Sequence, residues 1–145
     1  MSSGMEKKPK PRPVPTPLDR PYWDFLRRHE FRLQQCAACA TFRFPAAPVC
    51  AHCQSDRFEW KPCAGTGTVF SWVIFHKSYF PGFDADIPYN VAMIRLAEGP
   101  MFIANLVGIR NEDIRAGMPV EAVFDDAADA EFTILRFKSD ASRDA

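Results

Sequence analysis

Past residue 65 the apolar positions recur with a period of two, which is the spacing of strands. Residues 68–76 form the first such run, rich in Val, Phe, Trp and Ile and apolar on both faces. Residues 89–96 form a second, and Glu98-Gly99-Pro100 turns the chain into a third at 101–107. A fourth at 119–124 and a fifth at 131–138 complete the set, with one helical turn expected at 111–115, ended by Gly117. Five short strands with turn signals, and a small helix between the third and fourth, predict an OB-fold barrel over residues 65–138.

Upstream the period changes. Pro21 suits the first turn of a helix, and Tyr22, Phe25, Leu26 and His29 recur at helical spacing to make one apolar face, widened by Trp23. That face could pack on the rest of the chain or dock on a partner. Phe31-Arg32-Leu33 then alternates as a strand, so residues 18–35 read as a helix and a lead-in strand. Phe42-Arg43-Phe44-Pro45 and Pro48-Val49 suit a short hairpin, and Phe58-Glu59-Trp60 alternates again. A turn at 62–67 marks the boundary before the barrel. At the start, Pro9, Pro11, Pro13, Pro15 and Pro17 alternate with other residues, and Lys7, Lys8, Lys10 and Arg12 make the stretch basic. Residues 1–17 are expected to be a disordered arm of polyproline type, more a solvated tail than a docking segment. Residues 139–145 are polar and expected to fray.

Between these parts stand Cys36-Ala37-Ala38-Cys39 and Cys50-Ala51-His52-Cys53. Each C-x-x-C can form a tight knuckle, and two knuckles face to face offer four thiolates to a tetrahedral Zn²⁺. Two disulfides, a redox dithiol, or buried thiols acting as small hydrophobes are the rival uses. No secretory signal is apparent, so a reducing, cytoplasmic setting is expected, where disulfides are disfavoured. A redox pair would be expected once, beside a βαβ pattern, and none is visible. Zinc on Cys36, Cys39, Cys50 and Cys53 is therefore the favoured reading of residues 36–64, and four thiolates close the coordination sphere, so the metal is structural. Cys63 reads as a half-buried small residue. Four thiolates and one dication leave two negative charges, which Arg43, His52, Arg57 and backbone N–H groups could offset.

The 145 residues fit one domain or two small modules, and 47% apolar content suffices for a core. The 13 Phe and 13 Pro favour strands and turns over a helical bundle. No apolar run is long enough to span a membrane. With 18 basic and 18 acidic residues the chain lacks the basic excess of a dedicated DNA binder. Nucleophile and metalloprotease motifs are missing, and Gly65-Thr66-Gly67 is a weak match to a phosphate loop. His29 and His52 are assigned to packing and to the knuckle. His76, at a strand end, is the lone candidate acid or base, and its ordinary role there is as a polar terminus. The 78–83 loop carries Tyr79, Phe80 and Phe83, unusually aromatic for a connection. These rings can fold down as a lid, line a slot for an elongated apolar ligand, or stack on bases. Lys77 stands almost alone beside Asp84 and Asp86, which weakens the nucleic-acid option.

The chain resembles a known family: small OB-fold proteins with a rubredoxin-like zinc ribbon that associate with acyl-CoA enzymes. The residues that carry the likeness are Phe25-Leu26, both C-x-x-C pairs, Phe44-Pro45, the run Gly65-Thr66-Gly67-Thr68-Val69-Phe70-Ser71-Trp72, Pro88-Tyr89, Val91-Ala92 and Gly117-Met118-Pro119-Val120. They span residues 21–138. One departure is that Ala40 and Gln54 follow the knuckles where the family usually has Gly, the residue that takes a left-handed turn most easily. The resemblance implies a non-catalytic accessory subunit that binds acyl-CoA, or presents it to a thiolase-like, enoyl-CoA hydratase or aldolase partner. The acyl-pantetheine would then run between ribbon and barrel, against Phe75, Phe80, Phe83 and Tyr89, with Lys77, Arg43 and Arg57 meeting the phosphates. A pure scaffold within such a complex and a nucleic-acid-binding OB module are the alternatives, and a self-sufficient enzyme resting on His76 ranks last.

Overall fold

A computed structural model describes residues 10–140. One helix, α1 (Arg20–Arg27), precedes nine strands: β1 (Arg32–Cys36), β2 (Phe42–Arg43), β3 (Phe58–Pro62), β4 (Thr66–Phe75), β5 (Tyr89–Leu96), β6 (Met101–Ala104), β7 (Leu106–Val107), β8 (Pro119–Asp125) and β9 (Ile134–Ser139). They form two sheets. The first is three-stranded in the order β2-β1-β3, and the second six-stranded in the order β6-β5-β4-β8-β9-β7.

The six-stranded order is a closed path. β6 and β7 are one strand bent at Asn105, whose first half pairs antiparallel with β5 and whose second half pairs parallel with β9. Counted as one, they give five strands in OB topology, with a 3₁₀ turn at Asn111–Asp113 between the third and fourth. The expected third strand is therefore interrupted, because the bend is what lets it serve both edges. The bend is held by side chains: Asn90 receives the Leu106 N–H at 2.6 Å and donates to the Leu106 carbonyl at 2.9 Å, while Asn105 donates to the Asn90 carbonyl at 2.6 Å. The fifth strand begins at Ile134 rather than 131. The Asp129 carboxylate takes the N–H groups of Glu131 and Phe132 and holds that stretch in a turn. The 3₁₀ turn is also shorter than the 111–115 expected from sequence.

α1 starts one residue before Pro21 and ends at Arg27, so His29 lies outside it, at φ 61°. Its ring is not on the helix stripe. It stacks on Phe124 at 4.9 Å and bonds to Asp126 at 2.7 Å. Tyr22 and Leu26 carry the buried face. β1, expected to be a lead-in, is the central strand of the ribbon sheet, paired with β2 on one side and β3 on the other. The two sheets share a single buried cluster. Phe102 of β6 meets Phe31 at 5.5 Å, Phe44 at 4.5 Å and Phe137 at 5.9 Å.

Of residues 10–17, expected to be a solvated arm, 10–13 instead lie against the barrel with defined contacts, while Val14 is exposed. Arg12 forms a two-bonded ion pair with Asp129 at 2.7 and 3.0 Å, and Lys10 pairs with Asp86 at 2.6 Å. Charge complementarity between residues far apart in the chain, 117 residues in the case of Arg12 and Asp129, accounts for the difference. The rest of that arm, and residues 141–145, lie outside the described residues.

The weak G-x-G motif has a packing role. Gly65 takes φ 74°, and a Cβ on Gly67 would fall 2.5 Å from the Arg95 carbonyl of β5 and 2.8 Å from Ile94. β4 and β5 approach too closely there for any side chain. Gly67→Ala is expected to lower stability by about 2–3 kcal/mol, read as a fall in the urea midpoint. An unchanged midpoint would show that the strands can separate without penalty.

Candidate metal centre and ligand surface

The two knuckles are built alike. Ala40 N–H bonds to the Cys36 carbonyl at 2.9 Å and Cys36 N–H to the Thr41 carbonyl at 2.9 Å. In the second, Gln54 N–H bonds to the Cys50 carbonyl at 2.8 Å and Cys50 N–H to the Ser55 carbonyl at 2.9 Å. The residue closing each turn, Ala40 or Gln54, takes φ 66°. This is the left-handed region, where a Cβ is unfavourable by roughly 1 kcal/mol or more.

The repeat aims the sulfurs at one point. Cys36 and Cys53 Sγ are 3.5 Å apart, Cys39 and Cys50 Sγ 3.6 Å, and all four lie within 4.8 Å of one another. A tetrahedron with Zn–S bonds of about 2.3 Å has S···S edges of about 3.8 Å, so the set fits the ion. The Ala38 and Cys39 N–H groups point at Cys36 Sγ from 3.4 and 3.5 Å. With backbone donors led by Cys39, the Cys36 thiol is pulled down to about 6. Cys39 is lowered chiefly by the Thr41 hydroxyl. Cys53 is pushed up to about 12: Ser55 N–H acts to lower it, but the crowding of Cys36, Cys39 and Cys50, together with desolvation, outweighs that donor. Four sulfurs this close cannot all ionise alone, and a dication removes the conflict. Arg43, expected to help offset the cluster's charge, is engaged elsewhere. It donates to Gln34 Oε1 at 2.8 Å and to the Ala47 carbonyl at 2.9 and 3.2 Å, and lies over Phe58 at 4.9 Å. His52 and Arg57 are exposed.

Cys63 is half-buried, as expected. Burial first and Glu98 second push its thiol up to about 12, which leaves it a poor nucleophile. His76 is exposed just beyond β4.

The aromatic residues predicted for a ligand do come together. Phe75 stacks on Tyr89 at 5.0 Å and Tyr89 on Phe83 at 5.3 Å, while Phe80 meets Phe83 edge-on at 6.5 Å. Tyr79, noted in the aromatic loop but not among the predicted ligand residues, joins through Phe75 at 5.9 Å, with Lys77 over its ring at 5.6 Å. The cluster borders a cleft of about 810 Å³ to which Phe83 and Tyr89 contribute, and which Lys10 and Arg12 of the arm also line. The expected course between ribbon and barrel is different. A cleft of about 420 Å³ there is lined by residues such as His29, Phe31, Cys63 and Phe124, with none of the seven predicted ligand residues. The side-chain contacts of Arg43 stay within the ribbon.

The cluster continues onto the sheet. Cross-strand partners share a face, so the pairs Phe75–Tyr89, Val73–Val91 and Ser71–Met93, with Ile103 beyond Met93, define one outer surface of β4, β5 and β6. A bulge at Phe70 turns that ring outward as well. Phe70, Val73 and Ile103 are each more than half exposed, at 53%, 54% and 59%. The run of apolar residues on both faces of β4 was the sequence signal for this patch.

A four-cysteine zinc ribbon that shares its core with an OB-fold barrel is the class that this fold and site define. Residues 23–59 match the family described as ChsH2, rubredoxin-like zinc ribbon domain, and residues 60–125 match ChsH2, C-terminal OB-fold domain. A solved structure described as an Ltp2-ChsH2(DUF35) aldolase is similar with a TM-score of 0.79 and 36% identity, over 88% of this chain and 98% of that one. The chain belongs to this DUF35 family. It is also 39% identical over 137 residues to a probable enoyl-CoA hydratase alpha subunit of Thermomonospora curvata, covering 92% of this chain and 42% of that protein. A DUF35 domain-containing scaffold protein of Pyrococcus furiosus is 38% identical over 80 residues, covering 55% of this chain and 58% of that protein. The chain thus spans about half the length of these curated relatives. Four of its five cysteines, Cys36, Cys39, Cys50 and Cys53, are placed to hold a structural zinc ion.

Stripping the metal with a chelator is expected to unfold the ribbon, because binding and folding are coupled. An unchanged thermal transition after chelation would refute this. Ala40→Gly and Gln54→Gly should each raise the stability of the metal-loaded chain by about 1 kcal/mol, read from urea unfolding.

Proposed function

We propose that this chain is a non-catalytic accessory subunit that assembles with an enzyme acting on acyl-CoA thioesters: a thiolase-like enzyme, a hydratase or an aldolase. The observation that carries this reading is the outer face of β4, β5 and β6, where Phe70, Val73 and Ile103 stand more than half exposed beside Ser71 and Arg95. A protein of this size rarely leaves three large apolar residues of one sheet face half exposed unless another molecule covers them. The names of the relatives, a hydratase alpha subunit, an aldolase assembly and a scaffold protein, supply the kind of partner. The polar residues around the large cleft are already committed to one another. Arg136 binds Asp125 and Asn105, and Asn90 binds the Leu106 backbone. Such groups position a surface and leave little free for acid–base work.

The finer reading, direct contact with the acyl-CoA, is favoured by the stacked Phe75, Tyr89 and Phe83. Phe83 and Tyr89 line a cleft within the size range of small-molecule sites, with Phe75 packed on Tyr89 and Phe80 on Phe83. Arg43 and Arg57 are not needed for it.

Purification of the tagged chain from its native cells should yield a stoichiometric hydratase or thiolase-like subunit, with activity on an acyl-CoA. Met93→Asp with Ile103→Asp should weaken that complex by roughly 2–4 kcal/mol while the ribbon keeps its metal. Retention of the partner by this variant would exclude the sheet face as the interface. Within the assembled complex, Phe80→Ala with Phe83→Ala is expected to cut acyl-CoA affinity about tenfold or more in calorimetry. Unaltered affinity would remove the aromatic cluster from the ligand site.

A further inference from the structure

The Pro-rich arm and the barrel surface beneath it fit each other in a regular way. Along the arm, cations alternate with prolines: Lys10, Pro11, Arg12, Pro13. On the barrel there are two half-sites, each a carboxylate beside an aromatic ring. Asp86 and Phe83 form the first. Lys10 Nζ is 2.6 Å from the Asp86 carboxylate and 5.3 Å from the centre of the Phe83 ring. Asp129 and Phe132 form the second. Arg12 makes its two bonds to Asp129, reaches Glu131 at 3.2 Å, and lies 5.4 Å from the centre of Phe132. Pro11 and Pro13 line the cleft between.

Each feature suits the other chemically. An extended proline-rich strand loses little entropy on docking because its backbone is already stiff. A guanidinium fork matches a carboxylate with two parallel bonds, and the aromatic face adds a second attraction for the cation. The second half-site is built without the arm. The Asp129 carboxylate is held by the N–H groups of Glu131 and Phe132, and Arg27 ties the same turn through the Ala130 carbonyl at 3.0 Å. Asp129 is only 13% exposed where Arg12 meets it.

We infer that this groove is a binding site for basic peptides of alternating cation and proline, and that residues 10–13 occupy it as a built-in ligand. Pairs this exposed contribute little each, so a free peptide of this kind binds only at roughly tenth-millimolar concentration. Tethering raises the local concentration of the arm to the millimolar range, enough to keep the groove filled. A basic proline-rich segment from elsewhere therefore meets a competitor already in place. The groove shares Phe83 and the 810 Å³ cleft with the acyl-CoA reading, so a docked arm and an acyl-CoA would compete there, but the inference does not need that reading.

The test uses the full chain carrying Lys10→Glu and Arg12→Glu, which repels its own arm from Asp86 and Asp129. A synthetic peptide of residues 10–17 is titrated into the isotope-labelled variant and followed by NMR. The expected result is saturable shifts at Phe83, Asp86, Asp129 and Phe132, at least tenfold weaker in the unaltered chain and lost when Asp129→Asn is added. No saturable shift in the variant, or equal binding by variant and unaltered chain, would overturn the inference. A second measurement needs no variant to fold: the Arg12 Nε–H signal of the unaltered chain. Slowed solvent exchange at that proton supports the docked arm, and exchange as fast as in a free arginine peptide overturns it.

Discussion

The contact of Phe102 with Phe31 and Phe44 is the constraint on which the rest depends. The ribbon has three short strands, two of them half exposed, and cannot bury enough apolar surface to fold alone. It borrows the interior of the barrel. Phe102 points inward from β6, with Phe137 of β9 on one side and two ribbon rings on the other. Leu26 and Tyr22 of α1 seal the same cluster. Metal, helix and barrel are therefore coupled. The zinc fixes the knuckles, the knuckles fix the β1–β2 hairpin, and that hairpin delivers Phe44 to Phe102. Loss of the ion would loosen a residue at the centre of the barrel wall.

The same sheet shows how packing separates a structural face from a functional one. Along β5, Asn90, Ala92, Ile94 and Leu96 are buried while Met93 and Arg95 are exposed. β4 obeys this alternation up to Val69, then inserts Phe70 as a bulge and resumes with Ser71 and Val73 outward. A bulge increases local twist and re-aims side chains. Here it adds an aromatic ring to the outer surface without disturbing the inward register of Trp72 and Ile74. Two apolar faces on one strand mean that one is core and the other is offered to something else.

Much of this was legible in the sequence because it is local. Alternation located all five barrel strands, and the spacing of four cysteines located the metal. The left-handed turns at Ala40 and Gln54 follow from where glycine would be expected. What was not legible is long-range. Nothing in the run Lys10-Pro11-Arg12 indicates that Asp86 and Asp129 will face it, since charges far apart in the chain carry no register. The inner or outer orientation of β4 is fixed by pairing with β5, which a strand read alone does not reveal. Arg43 looked like a free cation near the cysteines. Its neighbours Gln34 and Ala47 come from other parts of the ribbon, and only the fold shows that they engage it.

The electrostatic pattern then bears on what kind of molecule this is. Catalytic sites keep a group poised, with a charge or proton unsatisfied until substrate arrives. Here the lowered carboxylates have partners: Asp129 is held low first by Arg12, Asp126 by Thr133 and His29, and Asp113 by Arg110. The thiols are either gathered around the metal site or, at Cys63, raised out of reactivity. These carboxylates are matched within the fold, while Phe70, Val73 and Ile103 stay more than half exposed on the outer face of β4 and β6. The proposed role, a subunit placed beside another protein, draws its support from this arrangement.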